Sequence, residues 1–342
     1  MLHLRLVVFV SAFLALYVGS ASADAVADFY RGKTVTIYIG YGPGGGYDRY
    51  ARTLGMHISR HIPGNPSIIA VNKPGVSSML LANHLAKVAP PDGTAIGAVN
   101  SALIFSPLFF GEKSNAQFNG PEMTMIGSVV SSASVLISWK TSGITSFEDL
   151  KHKELLIGSA SRSGDTYLLP LAIKKVLGLK LKMILGYPGT LQAALALERG
   201  EIMGRVWDME GIKSARPQWL EDGSINILAQ LAPHKMPEVP SNVPLVKDFV
   251  PSKEDKRVLD VIFLSTSLAK PIIAPPGIPA ERVKALRDAF MATTKDPKFL
   301  ADMAKSRLTV APTSGEDMEK IVKEAYAMPD AIIEKVRKTL GD

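Results

Sequence analysis

Apolar and polar positions alternate from residue 34 to 39, with Val35, Ile37 and Ile39 set against Thr34, Thr36 and Tyr38, and this period of two predicts a strand. A glycine-rich turn follows, and the period then lengthens. Tyr47, Ala51, Leu54 and Ile58 fall on one stripe, which predicts a helix from about Asp48 to His61. A strand over 68–71, a helix over Met79–Val88 started by Ser77 or Ser78, and a strand over Ala95–Val99 continue the alternation. Alternating strands and helices imply a mostly parallel sheet. Two apolar runs, Met125–Val130 and Val135–Trp139, precede a capping box at Ser146-Phe-Glu-Asp149. A second β-loop-α unit then opens with a strand over Leu155–Gly158, a polar loop from Ser159 to Thr166 and a helix over Tyr167–Leu177. Strands at Met183–Leu185, Met203–Val206 and Ile225–Ala229 surround a helix capped by Thr190, carrying Leu191, Ala194 and Leu195 and stopped by Gly200.

Prolines 233, 237, 240, 244 and 251 mark an extended linker. Beyond it the pattern predicts a helix over Lys253–Phe263, a strand over Ile272–Ala274, and a helix with Pro279 in its first turn and Val283, Leu286, Ala289 and Phe290 on its apolar face. Thr313-Ser-Gly-Glu316 caps a last helix running towards Leu340. The C-terminal part is long enough to return and complete the first lobe. The expected division is therefore 1–23 as signal peptide, 24–124 plus 245–342 as lobe 1, and 125–244 as lobe 2, with two crossings that form a hinge.

The signal is read from Arg5, the apolar run from Leu6 to Val18, and small residues ending in Ala21-Ser22-Ala23, with cleavage after Ala23. That run is shorter than the roughly 20 apolar residues that span a bilayer. Removing it leaves 319 of the 342 residues, more than one core usually organises. The net charge of +7 drops to +6 with the loss of Arg5, a modest excess that favours encounter with anionic ligands. Cysteine is absent, which excludes disulfides, thiolate metal sites and thiol catalysis. No Lys/Arg run or aromatic-basic stripe points to nucleic acid.

Chemistry concentrates in two turns. Gly42-Pro43-Gly44-Gly45-Gly46-Tyr47-Asp48 sits between a strand and a helix, where glycines admit a ligand close to the backbone and the helix start favours an anion. Asp48 reads as the N-cap. Gly40, Gly42 and Gly45 also satisfy G-x-G-x-x-G, yet Pro43 lies inside the fingerprint and the next strand ends in Asn72-Lys73 with no acid for a ribose hydroxyl. In the second turn Ser159, Ser161, Ser163, Gly164, Asp165 and Thr166 cap a helix or grip a ligand oxygen. A serine hydrolase built on that loop is the rival reading and requires a His and a carboxylate near Ser161 or Ser163, though no G-x-S-x-G is present. His57 and His61 lie four apart and read either as a metal pair lacking a third ligand or as two solvated helix residues. Asn100-Ser101, Arg205 and Trp207-Asp208 follow runs read as strands, where ligands of open α/β sheets sit, and packing or solvation explains them equally well.

The order Tyr41-Gly-Pro-Gly-Gly-Gly-Tyr-Asp48, Val71-Asn-Lys-Pro-Gly75, Ala89-Pro-Pro-Asp-Gly-Thr94, Phe147-Glu-Asp-Leu150, Gly158-Ser159, Tyr187-Pro-Gly189 and Ala193–Glu201 resembles the extracytoplasmic receptors of tripartite tricarboxylate transporters, the Bug proteins. The resemblance covers nearly the whole mature chain. It implies an α/β fold of two Rossmann-like lobes around a hinge, of periplasmic-binding-protein type II-like architecture, and a monomeric periplasmic receptor that is not an enzyme and uses no cofactor. It further implies a small carboxylate held by one β-loop-α turn per lobe, without a buried Lys or Arg, and handed to membrane subunits. Carried over, Gly44, Gly45, Gly46 and Asp48 supply the first turn, Ser159, Ser163, Gly164, Asp165 and Thr166 the second, and Tyr187 and Gly189 line the same cleft. Tyr47, Asn100, Ser101, Ser161 and Asp208 complete the candidate set. The second turn departs from the family pattern at Ser161, Arg162, Asp165 and Tyr167. The expected ligand is accordingly a monocarboxylate, or a dicarboxylate reaching Arg162, rather than citrate.

Overall fold

The computed structural model describes residues 25–187 and 189–341. The expected signal segment, 1–23, and Pro188 of the Tyr187-Pro-Gly189 motif lie outside the described residues. Eleven strands are described: β1 (Thr34–Ile39), β2 (Ser67–Asn72), β3 (Ala95–Ala98), β4 (Thr124–Ser128), β5 (Ser134–Trp139), β6 (Leu155–Gly158), β7 (Leu181–Ile184), β8 (Gly204–Asp208), β9 (Ile225–Leu231), β10 (Pro271–Ala274) and β11 (Thr313–Ser314). They form a six-stranded sheet ordered β11-β4-β10-β3-β1-β2 and a five-stranded sheet ordered β7-β6-β8-β5-β9.

Each sheet is mixed rather than purely parallel. In the first, β10 runs antiparallel to both β3 and β4, and β11 antiparallel to β4. In the second, β5 runs antiparallel to β8 and β9 while β6 is parallel to β7 and β8. The reversed strands β5 and β10 are those the chain enters on passing from one sheet to the other. β4, which the expected boundary near residue 124 places in lobe 2, belongs to the six-stranded sheet through its pairing with β10 and β11. The joins are the segment 129–133 and the residues just before β10. They lie side by side, because the Ser128 hydroxyl reaches the Val130 carbonyl at 3.0 Å and the Ala269 carbonyl at 2.5 Å.

Alternation places Val35, Ile37 and Ile39 fully inside, against Leu54 and Ile58 of the helix Gly46–Ile58. Each such side chain contributes about 1.5–3 kcal/mol by leaving water. A second apolar cluster joins the helix Lys253–Phe263 to Leu168, Leu169 and Ile173 of the helix Asp165–Leu177 and to Val336 and Leu340 of the C-terminal helix. The expected last helix is two, Gly315–Tyr326 and Asp330–Leu340, because Pro329 cannot continue the first and serves as N-cap of the second. The capping box at Ser146 and Asp149 forms reciprocally, with backbone-to-side-chain bonds of 3.1 and 3.3 Å, but opens only a short 3₁₀ turn.

Candidate functional site

The two β-loop-α turns face each other across the gap between the sheets. In the first, Gly44 takes a left-handed φ of 82°, and a β-carbon there would lie 3.3 Å from Leu191 Cδ1. One on Gly45 would lie 3.9 Å from Thr190, and one on Gly46 3.3 Å from Lys270 Cε. The glycines therefore let this turn close onto the start of the helix Thr190–Glu198. Asp48 is not the N-cap: the helix begins at Gly46 with Gly45 as cap, and the buried Asp48 carboxylate turns away from the cleft. Its Oδ2 accepts from Gly44 N at 2.9 Å, while Oδ1 accepts from Arg52 Nε and Asn72 Nδ2, both at 2.8 Å. It fixes the turn from behind.

The second turn leads from β6 into the helix Asp165–Leu177, whose N-cap is Gly164. Ser161 and Ser163 do not face the enclosed space. The Ser161 hydroxyl bonds Ser77 Oγ at 2.6 Å and Ser163 Oγ at 3.0 Å, and Ser163 donates to the Val76 carbonyl at 3.2 Å. These contacts cross between the lobes. They meet a segment in which Val76, Ser77 and Ser78 all hold left-handed φ values, of 46°, 51° and 74°. Neither a His nor a carboxylate is among these partners, so the hydrolase constellation is not assembled. Gly164 packs against the same segment, where an added β-carbon would lie 2.5 Å from Ser77 Oγ. Arg162 lies on a separate outer pocket beside Lys113 and Tyr167, so the expected contact of a dicarboxylate with Arg162 is not available in the cleft.

Between the turns the lobes enclose a cavity of ≈ 50 Å³. Of the candidate residues, Tyr47, Ser159, Asp165, Thr166, Tyr187, Gly189 and Asp208 line it. Asn100 and Ser101 sit behind this wall. Asn100 Nδ2 donates to Tyr41 Oη and, across the lobes, to Asp165 Oδ1, each at 3.0 Å. Tyr41 and Tyr47 stack at 4.7 Å, and burial pushes both phenols above their ordinary range. Ser159 spends its hydroxyl on the Thr166 carbonyl at 2.6 Å. Asp208 caps the helix Met209–Ala215 through Gly211 N at 2.8 Å.

Two buried cations stand at this site, Arg205 in the cavity wall and Lys270 behind it, contrary to the expectation that the site lacks them. Lys270, buried, with a left-handed φ of 66° just before β10, pairs with Asp208 at 3.1 Å and stands 4.8 Å from the Tyr47 ring. Arg205, 2% exposed, lies in β8 with its guanidinium 4.0 Å from the Trp207 ring. Its Nη1 donates to the Thr190 carbonyl at 2.9 Å, and its Nε has no partner. Loss of hydration lowers its pKa to about 9, with Asp208 and Asp165 acting the other way. Burial likewise raises the Asp165 carboxyl, partly offset by Asn100 and Lys270. In sequence Lys270 is a charge set inside the apolar stretch Leu268–Ala274, and that interruption is the one signal that marks it. His57 and His61 instead join helices, through Asp302 at 2.8 Å and Asp296 at 2.9 Å, and the described residues contain no cluster of three metal-ligand side chains.

Two α/β lobes joined by paired crossings around a cavity of mixed polar and apolar lining are the architecture of a solute-binding receptor. Residues 51–338 match the family described as Tripartite tricarboxylate transporter family receptor, and the chain belongs to it. Receptors of this family are periplasmic solute-binding proteins, and the chain is such a receptor rather than an enzyme. A UPF0065 protein from the gbd 5′ region of Cupriavidus necator is 23% identical over 338 residues, covering 95% of this chain and 94% of its own. The solved structure of the periplasmic binding protein BugD superposes with a TM-score of 0.71 at 19% identity, covering 91% of this chain and 98% of that one. Rpa4515 of R. palustris, solved with adipate, gives 0.69 at 20% identity over 90% and 97% of the two chains. MatC from Rhodopseudomonas palustris, solved with malate, gives 0.68 at 16% over 90% and 99%.

Proposed function

We propose that the protein captures a small organic carboxylate in the cavity between its lobes and hands it to the membrane subunits of a tripartite tricarboxylate-type transporter. The observation that carries this reading is the start of the helix Thr190–Glu198, which opens into the cavity wall behind Gly189 with no side-chain cap. Uncapped N–H groups and the helix dipole, equivalent to roughly half a positive charge, suit an anion. The adipate and malate bound by Rpa4515 and MatC agree with it. Tyr47, Ser159, Asp165, Thr166, Tyr187, Gly189 and Asp208 are then the ligand-facing residues, and Gly44, Gly45 and Gly46 permit closure. Asp48, Asn100, Ser101, Ser161, Ser163 and Gly164 hold the two turns in place. The working unit is a monomer released after Ala23, with two lobes, one per sheet, rotating about the paired joins.

The test is a thermal-shift screen of the mature chain, residues 24–342, against mono-, di- and tricarboxylates with a nucleotide control. Ligand at about 100 times its Kd stabilises the folded state by about 2.7 kcal/mol, a shift of several degrees. Upward shifts confined to carboxylates are expected. A chain indifferent to every carboxylate, or shifted by the nucleotide alone, overturns the reading.

A further inference from the structure

We propose that the outer pocket beside Arg162 is a second ligand site, distinct from the cavity, which takes an amphipathic anion with an alkyl chain and one charged head, and that this ligand holds the lobes together. The pocket has a volume of ≈ 300 Å³, at the lower end of the roughly 300–1,000 Å³ of small-molecule sites. It shares no lining residue with the cavity. What separates them is the seam between the lobes, where Ser161 bonds Ser77 at 2.6 Å and Gly164 packs on Ser77. The helix Asp165–Leu177 serves both sides of that seam: Asp165 and Thr166 line the cavity, and Tyr167 lines the outer pocket.

The lining divides by chemistry. Met79, Phe110, Tyr167 and Leu340 give an apolar wall, with Met79 and Leu340 buried. Arg162 and Lys113, both exposed, give two cations, and no acid is among the described lining residues. The Arg162 guanidinium stands 6.0 Å from the centre of the Tyr167 ring, so charge and apolar wall adjoin. Ser106 also lines the pocket. It is fully buried, and its hydroxyl has no hydrogen-bond partner among the described residues. An orphaned buried hydroxyl is rare in a folded chain, and here it is a donor available to an anionic head. A compact dianion leaves the apolar wall wet, and a neutral apolar molecule leaves both cations unused. An alkyl chain ending in one anionic group meets both halves of the lining.

Neither lobe builds this pocket alone. Met79, Phe110 and Lys113 lie between β2 and β4 of the six-stranded sheet, whereas Arg162 and Tyr167 lie between β6 and β7 of the five-stranded one. The pocket also touches the left-handed segment at Val76, a β-branched residue for which a φ of 46° is costly. Ser163 holds the Val76 carbonyl across the lobes at 3.2 Å. Moving the lobes apart therefore takes the pocket apart. A molecule that binds only the assembled pocket favours the closed form by its differential affinity for it, from a place the solute does not occupy.

The experiment is calorimetry on the mature chain, residues 24–342, with octanoate as the probe. One-to-one binding is expected. Arg162→Gln combined with Lys113→Gln is expected to weaken it about tenfold or more, the scale of a lost charge-assisted hydrogen bond. Octan-1-ol, the same chain without the charge, is expected to bind the unmodified chain at least about tenfold more weakly than octanoate. Ser161→Ala lies outside the pocket and removes one bond between the lobes, so it is expected to weaken octanoate a few-fold by lowering the closed fraction. Failure of octanoate to bind overturns the second site, and so does an affinity that survives the double variant with an unchanged circular-dichroism spectrum. Equal binding of octan-1-ol overturns the anionic head. An octanoate affinity unchanged in Ser161→Ala overturns the coupling to closure. None of these outcomes bears on capture of solute in the cavity, which the thermal-shift screen tests separately.

Discussion

The turn after β1 and the turn after β6 each join a strand to a helix start, yet they meet the opposite lobe by opposite means. The first works through side chains it lacks: Gly44 and Gly45 let backbone approach Leu191 and Thr190. The second works through side chains it has, as Ser161 and Ser163 bond Ser77 and the Val76 carbonyl. Both turns look like ligand grips in a linear chain, and in the fold much of each is spent on closing the lobes. Of the charged groups around the cavity, Asp165 comes from the second turn, Arg205 and Asp208 from β8, and Lys270 from the entry to β10.

Four substitutions sharpen this contrast. The largest effect is expected at the ion pair between the turns. Lys270→Met leaves Asp208 without its cation, and breaking one side of a buried pair costs about 3–5 kcal/mol. Urea unfolding should show a loss near 3 kcal/mol, and a loss below about 1 kcal/mol would mean the pair is solvated and contributes little. Next, Gly44→Val should cost about 1–2 kcal/mol for the left-handed backbone and also press on Leu191. It is expected to weaken ligand binding about tenfold, whereas Gly45→Ala, with extended backbone and 3.9 Å of clearance, should bind normally. Equal effects at both positions would show that crowding across the cleft is not what the glycines avoid. The smallest change is expected from Ser161→Ala, which removes one interlobe hydrogen bond of about 0.5–1.5 kcal/mol. Small-angle scattering should then show a larger open fraction without ligand, and an unchanged curve would mean the glycine turn alone sets closure.

Much of the architecture is legible in the order of residues, because strand and helix periods are local. The stripe Tyr47–Ile58, the alternation at Val35–Ile39 and the helix Lys253–Phe263 need no knowledge of partners. What escapes depends on distant neighbours. β10 pairs with β3 and β4 across more than a hundred residues, so its antiparallel sense is invisible locally. The helix Met209–Ala215 is announced only by Asp208 and Gly211, a cap of three residues' reach that resembles a turn. Asp48 has the identity of a cap but stands two residues past its own N-terminal Gly46, where a carboxylate reaches back instead. Lys270 is the instructive omission, while Arg205 is legible as a candidate but not distinguishable in sequence from a packed or solvated residue. A basic residue at a strand end is ordinarily solvated; Lys270 is buried where it meets Asp208 of the other lobe, and Arg205 is buried within its own lobe against Thr190 and Trp207.

Arg205 and Asp165, which have no ion-pair partner among the described residues, lie on the same five-stranded lobe as Ser159, Tyr187 and Gly189, while the six-stranded lobe brings Tyr41 and Tyr47. Under the proposed function, this geometry predicts sequential binding: the solute lands on an open half-site and the other lobe then shuts over it. The half-site sets how often encounters succeed, and the lid sets how long the solute stays. Substitutions in the glycine turn or at Tyr47 therefore belong in the dissociation rate, and those at Arg205 belong in the association rate as well.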